Sequence, residues 1–441
     1  MFDYAGRRKA LRRRVPDGDI LILSATQVPR NYAANTYTFH QDSTFRYYTG
    51  LDVADAALWL SGDGTEVLYL TAPGEDDVIW TGPVESGEAL AARAGIERVG
   101  DYGRLGEVVR AGTHFVEPYD YGLRERLSGW LGVRPEALGG LSSAALRRGV
   151  IAQRSRKEAG EVAEIESAIA LTRRMLCAAR AAIEPGRLEA EILLALLGPA
   201  IAKERAQAFD PIVTTHGETM HCESYGHVIG EGDLVLIDCG AESSHGYCAD
   251  ITRTYCAGDS MSSVQREVYA AVLAAQRAGI AATAVRGASQ RDVHFAACRA
   301  LTEALQGLGL MRGDVEESVQ AGAHALFLPH GIGHMLGLDA HDMENYGDDV
   351  GYAPGESRST QFGLNALRLA RRLEPGFVVT VEPGCYFIPE LIDRWAAKKY
   401  LDAFICYSEV EKFRSFHGIR IEDDVLITET GSRILGPGIE K

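Results

Sequence analysis

The sequence predicts a two-domain chain of mixed helix and strand, α/β (α+β) in class, and three observations carry that prediction. Its 441 residues exceed what one ordinary core organises. Strand-like and helix-like segments alternate through the first part. Around 151–160 the composition turns polar and basic (IAQRSRKEAG), and beyond it long helical segments separate strands that end in acids. The boundary is expected near 150–157, which gives domains over 1–155 and 156–441.

Taken in order, DILILSA (19–25), AALWLSG (56–62) and TEVLYLTAP (65–73) read as strands bounded by Gly and Asp turns, with helices near 86–95 and 103–111. A long helix is expected over 157–183, where Val162, Ile165, Ile169 and Leu176 recur at near-helical spacing. Further helices are expected over 187–206, 262–280 and 288–306. Ser262 and Gln265 fit a capping box at the start of the 262–280 helix.

Composition excludes several function classes. Hydrophobic residues make up 46% and charged residues 24%, ordinary for a globular enzyme. A formal net charge of −16 repels phosphate backbones, so no nucleic-acid partner is expected. The basic run RRKALRRR (7–14) reads as a solvated helix face. No apolar stretch follows it as in a secretory signal, and no window is long and apolar enough to span a membrane, so a cytoplasmic protein without membrane contact is expected. The eight cysteines, Cys177, Cys222, Cys239, Cys248, Cys256, Cys298, Cys385 and Cys406, form no CxxC pair and read as free buried thiols.

The chemistry lies in the second domain. LVLIDC and YCADITRTY read as the arms of a hairpin whose loop, 242–246, centres on Ser244. That register makes Asp238 and Asp250 direct partners, about 4.5–5.5 Å apart at Cβ on one face. Like charges so placed repel unless cations lie between them. LFLPHGIGHMLGLDAHD brings His330, His334 and His341 within twelve residues. The spacing of the first two suggests HExxH, but Gly331 stands where the glutamate would be, and Gly331 and Gly333 disfavour helix; loop or strand-edge histidines are expected. A β-branched strand ends in Glu382 and is stopped by Pro383–Gly384. In HGIRIEDDVLIT, Ile419 and Ile421 face one way, Arg420 and Glu422 the other. Buried carboxylates must be paired or bind metal. The set Asp238, Asp250, His334, Glu382 and Glu422 suits a hard or borderline divalent ion. Mn²⁺ fits best, Co²⁺ and Zn²⁺ remain possible, and Mg²⁺ fits less well.

The strings DCG, YCADITRT, HGIGH, VEPG and GIRIEDD, in this order, resemble the metallopeptidases of the pita-bread fold, among them methionine aminopeptidase, aminopeptidase P and prolidase. FHQDSTFRYYTGL (39–51) resembles the creatinase-like opening domain that aminopeptidase P and prolidase share. The resemblance implies a creatinase-like amino-terminal domain serving oligomerisation or substrate-size control, then a pita-bread catalytic domain. It implies that Asp238, Asp250, His334, Glu382 and Glu422 bind two metal ions. His221 would serve proton transfer, His341 and His330 would contact substrate, and Arg420 would support the metal ligands.

Three features resemble prolidases in particular: the long segment between Glu382 and Glu422, the approach SVQAGAHALFLPHGIGH, and Arg368, which matches an arginine that holds a dipeptide's carboxylate. The implied activity is hydrolysis of Xaa-Pro dipeptides. A metal-bridging hydroxide would attack the peptide carbonyl, with Glu382 as base. The alternatives are an aminopeptidase P, acting on longer Xaa-Pro peptides, and a non-catalytic binding protein on the same fold. Retention of all five ligand positions argues against the latter. A homodimer is implied by analogy. One departure stands out: Phe209 occupies a position where relatives usually carry tyrosine, so a hydroxyl on the proton path is missing.

Overall fold

The computed structural model describes residues 2–74, 76–258 and 260–441. It divides into two compact units, Met1–Arg154 and Ser155–Lys441.

The first unit holds a four-stranded sheet of β1 (Ile20–Leu23), β2 (Ala56–Leu60), β3 (Glu66–Leu70) and β4 (Arg98–Asp101), in that order. The first three pair antiparallel, and β4 joins β3 in parallel. Leu21, Ala57 and Trp59 pack with Leu105, Phe115 and Leu127 to form its core. Two expectations change here. The segment expected as a helix over 103–111 is a 3₁₀ helix, Tyr102–Glu107. Gly103 and Gly106 weaken an α-helix, and Tyr102 and Leu105, three apart, are buried as a three-residue turn requires.

The basic run is solvated only in part: Lys9, Arg13 and Arg14 are exposed. Arg7 and Arg8, on the helix Tyr4–Arg14, are buried. Arg8 donates to the carbonyls of Tyr48 (3.0 Å), Ala94 (2.9 Å) and Gly95 (2.9 Å), and its Nε pairs with Glu66 at 2.8 Å. A guanidinium's fixed fork suits this task, because it satisfies the orphan carbonyls at the ends of the helices Ser43–Thr49 and Gly87–Ala94.

The second unit opens on the helix Ala159–Ala182, which buries Val162, Ile165, Ile169 and Leu176, and the helix Glu189–Ile201 follows. The helix Ser263–Thr283 starts with the expected capping box of Ser262 and Gln265, and Gln290–Gly307 comes after it. Three small antiparallel sheets accompany them. One is β5 (Ile212–Thr214), β6 (Leu234–Cys239) and β7 (Ile251–Cys256). The others involve β8 (Val378–Val381), β9 (Gly384–Tyr386), β10 (Gly418–Arg420), β11 (Asp423–Thr428) and β12 (Gly431–Ile434): β8 pairs with β11, β11 with β12, and β9 with β10.

Pro383 therefore does not end the extended chain. It lacks the N–H a ladder needs, and across it the chain leaves one sheet partner for another. Ile421–Glu422 marks the same change on the facing chain, so both glutamates sit where a strand switches sheets.

No helix of the described residues is long and apolar enough to cross a membrane. All eight cysteines are free; Cys239, Cys248, Cys298 and Cys385 are buried, whereas Cys177 is exposed and the other three are half-buried.

Candidate metal centre

Strand β6 is apolar on both faces, with Leu234, Val235, Leu236 and Ile237 all buried, and it delivers Asp238 at its end. The hairpin register differs from expectation by two residues: Asp238 pairs with Thr252, not Asp250. The turn closes through Ser243 N–H to the Tyr247 carbonyl (2.8 Å), with Gly246 at φ +77°, so the pairing centres on residue 245. Asp250 falls just before β7, level with Gly240, as a diagonal neighbour of Asp238 on the same face. A Cβ at Gly240 would lie 1.7 Å from the Ala249 carbonyl oxygen; only glycine lets the arms close there.

The HGIGH segment is a loop laid along the edge of β8. Thr380 N–H donates to the His334 carbonyl (3.0 Å) and Glu382 N–H to that of Ile332 (2.9 Å). A Cβ at Gly333 would lie 2.0 Å from the Thr380 carbonyl oxygen, so this approach also requires glycine. It sets His334 Nε2 3.5 Å from Asp250 Oδ2 and 3.6 Å from Glu382 Oε1. His334 Nδ1 lies 3.0 Å from the Met335 carbonyl oxygen. That contact fixes the proton on Nδ1 and leaves the Nε2 lone pair facing the acids.

Arg420 crosses beneath them, donating to Asp238 Oδ2 (2.7 Å), Tyr386 Oη (3.1 Å) and Thr252 Oγ1 (3.2 Å). Thr252 in turn donates to Glu422 Oε2 (2.7 Å). A further acid, Asp424, accepts from Asp250 N–H at 3.1 Å.

Burial, then the charge of neighbouring carboxylates, pushes the Asp250 and Glu422 carboxyls well above the usual range. Burial lifts Glu382 to about 7 against the pull of Arg420. Burial also lowers His334 well below its ordinary value and His330 to about 4, which keeps both neutral. Oδ1 of Asp238 is buried with no hydrogen-bond partner. Donor atoms of Asp250, His334 and Glu422 all lie within 4.8 Å of one another. Crowded acids, an orphaned oxygen and a lone pair aimed at them fit a divalent cation, which removes the repulsion and supplies the missing partner.

These residues share a cavity of about 950 Å³, whose walls also include Phe209, His221, His330, His341 and Arg368. His221 is exposed at its wall. His330 Nε2 lies 2.9 Å from Tyr386 Oη. The His341 ring stands 4.1 Å from that of His334. All the sequence-predicted site residues thus meet in one place. Sequence reasoning missed Thr252, Tyr386, Asp424 and Glu344. Glu344 binds both His341 Nδ1 and Arg368 through its two oxygens. Its signal was weak, an acid three residues after His341 in a segment without strand periodicity.

A model described as metallopeptidase family M24 matches residues 163–429, and one described as the aminopeptidase P N-terminal domain matches residues 4–114. The human Xaa-Pro dipeptidase is 40% identical over 228 residues, 50% of this chain and 44% of that protein, so the chain matches less than half the human protein's length. The probable Xaa-Pro aminopeptidase pepP of Penicillium rubens is 31% identical over 414 residues, 90% of this chain and 85% of that protein. The structure of the Pseudomonas aeruginosa aminopeptidase PepP has a TM-score of 0.81 at 28% identity, covering 100% of this chain and 95% of that one.

Proposed function

Since the chain belongs to metallopeptidase family M24, we propose that it hydrolyses the Xaa-Pro bond of dipeptides at a centre of two divalent ions, most naturally Mn²⁺, held by Asp238, Asp250, His334, Glu382 and Glu422. The observation that carries this reading is one cavity walled by all five donors and by Arg368. An Xaa-Pro bond has no N–H to recognise, so the site must grip the carbonyl and the chain ends. Divalent ions held there would acidify a water and polarise the peptide carbonyl.

The chain's own residues do the rest. Glu382, with a carboxyl near neutrality, accepts the water's proton at Oε2, the oxygen not engaged by Thr380. Burial and then the charge of Arg368 lower His341 below its ordinary value; Glu344 at its Nδ1, together with a substrate carboxylate neutralising Arg368, would favour the doubly protonated ring. That ring donates through Nε2 to the developing oxyanion. His221 delivers a proton to the proline nitrogen, and Phe209 lends it no hydroxyl. Arg420 holds Asp238 in place, and His330 lines the substrate's path on the Tyr386 hydroxyl. Arg368 receives the dipeptide's carboxylate, the group that Glu344 imitates when substrate is away.

A second reading, removal of the first residue from longer Xaa-Pro peptides, draws support from the near-full-length relative and the structural neighbour, both named as aminopeptidases. We further propose a homodimer, with the amino-terminal domain serving assembly or substrate-size control. Asp238→Asn tests the centre: it should lose bound Mn²⁺ and most hydrolysis. Native activity with full metal content would overturn the ligand assignment.

A further inference from the structure

We infer that His294, Cys298 and His324 form a second, fully enclosed metal site that takes one soft univalent ion, Cu(I) by its chemistry. His294 and Cys298 stand four residues apart on one face of the helix Gln290–Gly307. His324 comes from the 3₁₀ helix Ala323–Leu326. The two imidazoles meet edge to face, with ring centroids 5.9 Å apart and planes at 68°. Cys298 Sγ lies 3.5 Å from His294 Nε2. One donor atom from each residue falls within 4.8 Å of the other two.

Burial makes the arrangement costly as it stands. The exposures of His294, Cys298 and His324 are 0%, 0% and 1%. Neither ring nitrogen of His324 has a hydrogen-bond partner, nor does Nδ1 of His294. Enclosed polar atoms left unpaired are rare in folded proteins and ask for an unseen partner. An ion at the centre of the three donors supplies one. Burial lowers His294 to about 3 and His324 to about 4, so both present neutral lone pairs.

Charge selects the ion. No carboxylate belongs to this cluster among the described residues. Its one source of negative charge is the Cys298 sulfur, whose proton leaves to solvent as the metal–sulfur bond forms. A divalent ion with one thiolate would leave a net positive charge in a dry interior, which is strongly unfavourable. Cu(I), one thiolate and two imidazoles sum to neutrality. Thiolate and imidazole are soft to borderline donors, and a three-donor set falls short of the four that structural zinc demands. The catalytic carboxylates are hard donors and do not compete for Cu(I). The occupant would pin the turn that leads, six residues on, to His330.

The test does not depend on the peptidase reading. The chain is produced in copper-supplemented medium, purified under reducing conditions and passed over a chelating resin, which strips ions from exposed thiols and imidazoles. Native protein and a Cys177→Ser control should each retain close to one equivalent of copper, with Cu–S and Cu–N scattering in X-ray absorption. Cys298→Ser, which keeps the side chain's shape, and His324→Gln should retain almost none while showing native circular dichroism. Native protein emerging without copper overturns the site, even if both variants fail to fold. So does copper retained equally by native protein and by either folded variant.

Discussion

Replacing Arg420 with methionine keeps an unbranched stem and removes one charge and its donors. Arg420 is 4% exposed and is the cation that touches Asp238, at 2.7 Å. The other Asp238 oxygen already lacks a partner. The substitution therefore strands a carboxylate among Asp250, Glu382 and Glu422, and breaking a buried pair in this way costs about 3–5 kcal/mol. For a unit of roughly 290 residues, with an unfolding entropy of about 0.6 kcal/mol per kelvin, that lowers the melting temperature of the metal-free protein by about 5–8 °C. Divalent ions supply the positive charge that Arg420 supplied, so saturating Mn²⁺ should recover more than half of the loss. Scanning calorimetry on native protein and Arg420→Met, each with chelator and with Mn²⁺, measures both effects. A metal-free shift under about 2 °C would refute the claim that Asp238 depends on Arg420. An equal loss with and without Mn²⁺ would refute the claim that the cation and the guanidinium answer the same charge.

Other outcomes follow from the same geometry. Arg368→Ala forfeits a charge-assisted contact of about 1.5–3 kcal/mol and should raise KM for Xaa-Pro dipeptides by about 10- to 150-fold, leaving tripeptides little changed; an unchanged dipeptide KM removes Arg368 from the carboxylate role. Glu344→Gln takes away the internal competitor and should lower dipeptide KM, whereas a raised KM would make Glu344 a partner of substrate. His417 is raised above its ordinary value by the hydrogen bond it donates to Glu218, 3.0 Å away, so its contribution to stability is present below the unfolded histidine pKa and lost as pH rises through the folded one. Melting temperatures of native protein and His417→Asn, which tolerates the positive φ there, should therefore differ more near pH 6 than near pH 8.5. A gap that widens with rising pH would contradict that sign.

The parts of this molecule legible in its sequence are those set by local periodicity. The helix Ala159–Ala182 and the apolar strand ending in Asp238 announce themselves through side chains that all face a core. The residue types at the centre were legible too, because acids at strand ends have few inexpensive explanations. What escaped depends on tertiary closure. The hairpin register turned on a Ser243–Tyr247 hydrogen bond and a left-handed Gly246, which moved the centre of pairing by one residue. Arg7 and Arg8 look like surface until the helix ends they cap are known to converge on them. Pro383 reads as a stop, yet it is a switch between sheets, a role that needs a second strand to define it. Thr252 and Tyr386 act only through partners far away in sequence, and Glu344 acts through distant Arg368 as well as nearby His341, so no short motif marks them.

The most direct test of the central claim is proline release with Mn²⁺ from Ala-Pro and Leu-Pro, run beside cleavage of Xaa-Pro-Ala tripeptides and repeated after chelation. The account predicts hydrolysis of the dipeptides that stops on chelation and returns with Mn²⁺, with the tripeptides cleaved poorly. Silence on the dipeptides from protein with ions bound would contradict it.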